Sequence, residues 1–206
     1  MTDPQTLGDD ELLRLTRAGD ERAFTMLFRR HRDPVYRFAL QMSGSESVAD
    51  DVIQEVFLAL LGESFRFDPS QGLLAAYLFG VARNQVRRHL ERSKFQISLD
   101  DDSGEEAPSL EPIIAAEDPL TDLTLREGLS ALRSAILTLP LHYREVVVLC
   151  ELEEMSYQDA ARSIGCAVGT IRSRLHRAHA LLVQKLREAN EAPSRATRSS
   201  VMRCFL

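Results

Sequence analysis

The sequence predicts an all-α protein. Two small helical domains are joined by a flexible acidic linker, and the second is a helix-turn-helix (winged-helix-like, four-helix) domain. Three observations predict it. On both sides of the middle of the chain, apolar residues recur three or four positions apart, the period of helices buried on one face. Between those parts, Gln96 to Leu125 hold nine Asp/Glu and no Lys/Arg, with Pro108 and Pro112 and no helical or strand period. Such a segment cannot bury enough apolar surface to offset the entropy of ordering. Finally, Ser156 to Arg187 reads as two helices around a tight turn. The boundaries that follow are 1–94 for the first domain, 95–122 for the linker, 123–188 for the second domain and 189–206 for a C-terminal tail.

In the first domain, residues 1–10 read as a loose tail. A helix from about Asp10 to Ala18 carries Leu12, Leu13 and Leu15 on its apolar side, and Gly19-Asp20 breaks it. Asp20 caps the next helix, which carries Phe24, Leu27 and Phe28. Pro34 marks a further boundary, with Val35 to Met42 continuing as helix and Ser43-Gly44-Ser45 as a turn. The most regular helix runs from about Ser47 to Leu61, with a wide stripe of Val48, Val52, Ile53, Val56, Phe57, Leu60 and Leu61. Phe65 to Gly72 is a loop. A long helix from about Leu73 to Arg92 then turns Leu74, Leu78, Ala82, Val86 and Leu90 inward.

The second domain opens near Asp122 with a helix to Leu137, its Leu125, Leu129, Leu132 and Ile136 inward, ended by Leu139-Pro140. Another helix, about His142 to Leu152, carries Val146, Val147, Leu149 and Cys150. Ser156 and Asp159 then form an S-x-x-D capping box for a short helix with Ala160, Ala161 and Ile164 inward. Gly165 suits its C-terminal turn, because it takes positive φ without steric strain. The last helix runs from about Val168 to about Arg187. Ile171, Leu175, Ala178, Leu182 and Leu186 lie on one face of it.

Composition excludes several classes. The net charge of −6 argues at first against a nucleic-acid binder, but the charge is polarised. Val81 to Lys94 hold five Lys/Arg against Glu91 alone, and Thr170 to Arg187 hold five Lys/Arg and no Asp/Glu. Cys150, Cys166 and Cys204 match no zinc spacing, and their sparse, odd count suits a reducing cytoplasm. No signal peptide is visible, and no apolar run approaches the ~20 residues that span a bilayer. His31, His89, His142, His176 and His179 show no metal spacing, and no phosphate loop or nucleophile motif occurs. No metal, cofactor, small-molecule substrate or enzymatic activity is therefore expected.

Three faces carry chemistry. On the last helix, Arg172, Ser173, Arg174, His176 and Arg177 fall opposite Ile171 and Leu175, with Thr170 beside them. A helix buried on one side and basic on the other suits a DNA major groove, where arginine grips phosphates or takes guanine bidentately. On the long helix of the first domain, Tyr77, Arg83, Asn84, Arg87 and Arg88 spread over the outer arc. An aromatic among arginines fits single-stranded DNA, the cations following phosphates and the ring stacking on a base. The loop residues Phe65, Arg66 and Phe67 could extend that surface, or the two rings could pack inward. On the regular helix, Asp51, Gln54, Glu55 and the exposed Leu58 form either a docking patch for a basic partner or a solvated acidic face.

Both halves resemble the sigma factors of RNA polymerase, in the small extracytoplasmic-function (ECF) group of the sigma-70 family. In the first half the resemblance rests on A-D-D-V-I-Q-E-V-F (Ala49 to Phe57) and A-Y-L-F-G-V-A-R-N (Ala76 to Asn84). In the second it rests on L-P-L-H-Y-R-E-V-V-V-L (Leu139 to Leu149), S-Y-Q-D-A-A (Ser156 to Ala161) and G-T-I-R-S-R-L-H-R-A (Gly169 to Ala178).

The resemblance implies a factor without chemistry of its own, which binds core RNA polymerase through the β′ and β subunits and directs it to promoter DNA. Asp50, Asp51, Gln54, Glu55, Phe57 and Leu58 would dock on the clamp helices of β′. Phe65, Arg66, Phe67, Tyr77, Arg83, Asn84, Arg87 and Arg88 would melt and hold the minus-ten element. Thr170, Arg172, Ser173, Arg174, His176 and Arg177 would read the minus-thirty-five element, and the acidic linker would thread a positively lined channel of the polymerase. An anti-sigma factor is a further expected partner. The chain departs from the family at Tyr77, where Trp is usual, and at Ala167, where Ser or Pro often precedes the recognition helix. The competing reading is a helix-turn-helix regulator that needs no polymerase. It would leave the docking patch and the aromatic–arginine helix without a purpose, and no seam for dimerisation on a palindrome is visible.

Overall fold

The structure, a computed structural model, describes residues 7–62, 65–97 and 119–203. Residues 1–6 of the tail expected at 1–10, most of the linker and Cys204 lie outside the described residues, as does the side chain of Leu125. Eight α-helices follow in order: α1 (Asp9–Arg17), α2 (Glu21–Ser43), α3 (Glu46–Leu61), α4 (Leu74–Ile97), α5 (Pro119–Leu137), α6 (Leu141–Val147), α7 (Tyr157–Ile164) and α8 (Val168–Arg203). A short 3-10 turn, Pro69–Gln71, precedes α4.

Local chemistry sets most boundaries. Asp20 accepts hydrogen bonds from the Arg22 and Ala23 N–H groups and so opens α2. Ser45 accepts from the Val48 N–H at the start of α3. At α7 the Ser156 hydroxyl accepts from the Asp159 N–H at 3.1 Å. The same hydroxyl donates to the Asp159 carboxylate at 2.6 Å, so the box closes side chain to side chain. Gly165 ends α7 in the left-handed region, at φ 75°.

The structure corrects several expected boundaries. Pro34 does not divide α2. The buried stripe of Leu27, His31, Val35, Phe38 and Met42 runs through it, and packing on both sides outweighs the one helical hydrogen bond that proline cannot make. The helix expected to end near Arg92 continues to Ile97, and α5 begins at Pro119 rather than Asp122. In α5, Ile136 is buried but Leu129 is exposed. The helix expected over 142–152 is α-helical only to Val147, and a π-helical turn, Val148–Leu152, completes it. The backbone of α8 runs on to Arg203 through the expected tail. A winged domain needs a β-hairpin, and the described residues hold no strand, so the second half is four helices without a wing.

In the first half, α1, α3 and α4 pack around α2; in the second, α5, α6 and α7 pack on α8. The halves also pack on each other, chiefly α4 on α7 and α2 on α5 and the end of α6. Their apolar side chains form one continuous buried cluster, from Leu12, Phe38 and Leu78 to Leu149 and Ile171.

Candidate nucleic-acid interface and docking face

On α8, buried Ile171, Leu175, Ala178 and Leu182 anchor the helix to the second half. The same anchoring turns Arg172, Ser173, His176 and Arg177 fully outward, with Thr170 and Arg174 half-buried. The Ala167 carbonyl accepts from the Thr170 and Ile171 N–H groups at 2.9 and 3.3 Å, so the first turn of α8 closes on backbone hydrogen bonds. The Ser173 hydroxyl donates back to the Thr170 carbonyl at 3.0 Å. All six residues expected for duplex recognition therefore share one helical surface.

On α4, Tyr77 lies between two loop aromatics. Its ring meets Phe65 edge-on at 4.8 Å and Phe67 at 5.7 Å, and its hydroxyl accepts from the Arg66 N–H at 3.4 Å. The two rings do not share one fate. Phe65 is buried beneath the Arg17 guanidinium, 5.3 Å from the ring centroid, whereas Phe67 is half-buried at the edge. Phe65 thus supports the aromatic surface rather than presenting one, because Arg17 and Tyr77 occupy its approaches. Arg66, Asn84 and Arg88 are exposed, and Arg87 is half-buried.

Arg83 departs from the expected outer arc. Its side chain is only 14% exposed, and its Nε lies 2.8 Å from Oε1 of Glu145, in the other half. Arg87 Nη1 lies 3.7 Å from the same oxygen. Sequence reasoning missed Glu145. The available signal was its position four residues before buried Leu149, which puts a carboxylate on the apolar stripe.

On α3, Asp50, Asp51, Gln54 and Leu58 are exposed, and among the described residues Leu58 is the most open large apolar side chain, at 67%. Glu55 is half-buried, 3.8 Å from His89 Nε2. Phe57, expected on this face, is buried in the opposite direction, with ring contacts to Phe28 at 4.8 Å and Phe24 at 6.3 Å. It is four residues after Ile53 on the buried stripe, so it has no surface to offer a partner.

Among the described residues no cluster of metal-ligating side chains occurs, and no helix is long and apolar enough to cross a membrane. The fold and its faces define a helical protein with a basic helix-turn-helix, an aromatic–arginine helix and a helix with an acidic, apolar-tipped face. Residues 27–96 match the family model Sigma-70 region 2, and residues 129–182 match Sigma-70, region 4. The chain is 33% identical over 183 residues to the ECF RNA polymerase sigma factor SigM of Mycobacterium tuberculosis, spanning 86% of this chain and 84% of that protein. The fold is similar to the sigma factor RpoE of Bartonella quintana, solved in complex with the anti-sigma factor NepR, with TM-score 0.64 and 25% identity. That likeness covers 80% of this chain and 96% of the other. CnrH, solved with the cytosolic domain of CnrY, is also similar, with TM-score 0.64, 27% identity and 87% and 97% of the two chains covered. The chain belongs to the ECF sigma factors of the sigma-70 family, which are transcription initiation factors and generally not enzymes.

Proposed function

We propose that the chain divides promoter-directed initiation among its three faces. Asp51, Gln54, Glu55 and Leu58, with Asp50 beside them, bind core polymerase at the β′ clamp helices. Tyr77, Phe67, Arg66, Asn84, Arg87, Arg88 and, once freed from Glu145, Arg83 hold the opened minus-ten strand. Thr170, Arg172, Ser173, Arg174, His176 and Arg177 read the minus-thirty-five duplex. The observation that carries this division is the Tyr77 cluster. A ring in contact with both Phe65 and Phe67, beside exposed Arg66 and Asn84, is a stacking platform with a cation and an amide at its rim. A duplex-only regulator would have no use for it.

The chain works in the cytoplasm and is held by an anti-sigma factor. The solved relatives with NepR and CnrY support that partner class. Run-off transcription with purified bacterial core polymerase, on a library of host promoter fragments, tests the whole reading. Chain-dependent transcripts starting at a shared motif are the expected outcome. No transcript, together with polymerase-independent binding to duplex DNA, would replace this reading with the polymerase-independent regulator.

A further inference from the structure

The Glu145 side chain is 1% exposed, and its Oε1 receives no hydrogen bond of good geometry. A carboxylate so buried needs cations beside it. Those it has, Arg83 at 2.8 Å and Arg87 at 3.7 Å, come from α4 in the other half of the molecule. Its burial therefore has an electrostatic reason only while the two halves are together. We infer that Glu145 is an internal stand-in for a DNA phosphate: it holds the chain closed and occupies the arginines that the opened promoter strand would use. This rests on the DNA role given above to Arg83 and Arg87.

The geometry around the pair agrees. Carboxylate and phosphate are alternative partners for the same guanidinium donors. One turn from Arg83, α7 lies directly on α4. A Cβ added at Gly80 would sit 3.3 Å from the Ser163 carbonyl oxygen, and the Ser163 hydroxyl donates to the Ala76 carbonyl at 2.5 Å. Between the two helices a cleft of about 570 Å³ remains, bounded by Tyr77, Arg83, Asn84 and Arg162. A strand laid along α4 competes for this space with α7 itself. The other links between the halves include polar ones, the Arg37–Glu153 pair at 2.9 Å and the Arg144 guanidinium on the Met42 carbonyl. These polar links lie beside the apolar cluster that the halves share, so the latch acts on a mixed contact.

The test uses the full chain with its native cysteines replaced and Gly80→Cys and Ser163→Cys introduced, so that the rate of disulfide formation reports closure. A short fluorescein-labelled single strand of mixed sequence reports access to α4. Glu145→Gln should slow cross-linking. In the chain without the cysteine pair, it should also tighten strand binding roughly tenfold, the gain expected if the closed form holds about nine-tenths of the molecules. Adding Arg83→Ala should cancel that gain. The cross-linked chain should bind the strand weakly and recover on reduction. Unchanged cross-linking in Glu145→Gln, or a cross-linked chain that binds as well as the reduced one, would overturn the latch. Opening with no gain in binding, and no effect of Arg83→Ala in the opened chain, would overturn it through its premise and mark the DNA role of Arg83 as what failed.

Discussion

Tyr77 and Phe65 meet edge to face, ring centroids 4.8 Å apart, and this contact ties the loop before α4 to the helix that presents the arginines. Phe65 is buried, so the Tyr77 ring is held from below, with its hydroxyl fixed by the Arg66 N–H. Tyr77→Ala is expected to reduce promoter opening by about 1–3 kcal/mol, the worth of one base stacked on an aromatic. Tyr77→Phe, which keeps the ring, should retain most of it. Fluorescence of a 2-aminopurine placed in the minus-ten strand of a holoenzyme complex reads the difference. Equal loss in both variants would mean that the hydroxyl, not the ring, matters.

The docking face permits a separation of binding from folding. Asp51 and Leu58 are exposed, so Asp51→Lys or Leu58→Asp should change thermal stability by no more than about 0.5 kcal/mol. Both should abolish assembly with core polymerase in a pull-down. Phe57→Ala behaves oppositely: it opens a cavity beside Phe28 and Phe24 and should cost about 3–5 kcal/mol of stability. Retained assembly by the Asp51 and Leu58 variants would remove α3 from the polymerase contact.

On α8, Arg174→Ala and Arg177→Ala should each weaken use of a minus-thirty-five-dependent promoter by about 1–3 kcal/mol if the guanidinium reads a base, leaving polymerase binding intact. If it holds only phosphate, the loss is uniform across sequences and the salt slope of duplex binding falls by about one. Titrations at several salt concentrations separate the cases. A variant with full promoter use would exclude that arginine from the interface.

Much of this was legible because helices announce themselves locally. The stripes of α3 and α8 and the Ser156 and Gly165 signals at the ends of α7 follow from spacing and cap chemistry within a few residues. Pro34 misled because a local breaker was overruled by burial on both sides of it, at His31 and Val35, which only the packed helix reveals. Phe57 lies on the apolar stripe that spacing picks out, and only the family resemblance placed it on the docking face; Phe65 lies in a loop, where no period says whether a ring packs inward. Arg83 was beyond reach. Its partner Glu145 lies in the other half, beyond the acidic segment, and no local pattern pairs them.

The caps of the helix-turn-helix make a stability prediction. Ser156→Ala removes the acceptor of the Asp159 N–H and should cost about 0.5–2 kcal/mol. Gly165→Ala puts a Cβ on a residue at φ 75°, where nothing else crowds it, so its effect reports backbone strain alone, about 1–2 kcal/mol. Thermal melts of both variants measure these values. A neutral Gly165→Ala would mean that the turn relaxes out of the left-handed region.

Acid titration should show two carboxyls of opposite sign. Burial alone would raise the Asp9 carboxyl, but the hydrogen bond and charge of His31, then those of Arg30, outweigh it and hold the group below its ordinary 3.8. The unfolded chain then binds the proton more readily, so Asp9 contributes stability above that value and loses it as pH falls through the folded one. At Glu153 burial wins over Arg37 and raises the carboxyl above its ordinary 4.5. Here the folded chain binds the proton more readily, so stability rises as pH falls from neutrality towards 4.5. The two act in successive windows. Chemical denaturation across acid pH should show a shallow gain followed by a loss. Glu153→Gln should remove the gain, and Asp9→Asn should flatten the loss below about pH 4, in the carboxylate range. A loss just as steep in Asp9→Asn would move the acid-sensitive contact away from the α1–α2 junction.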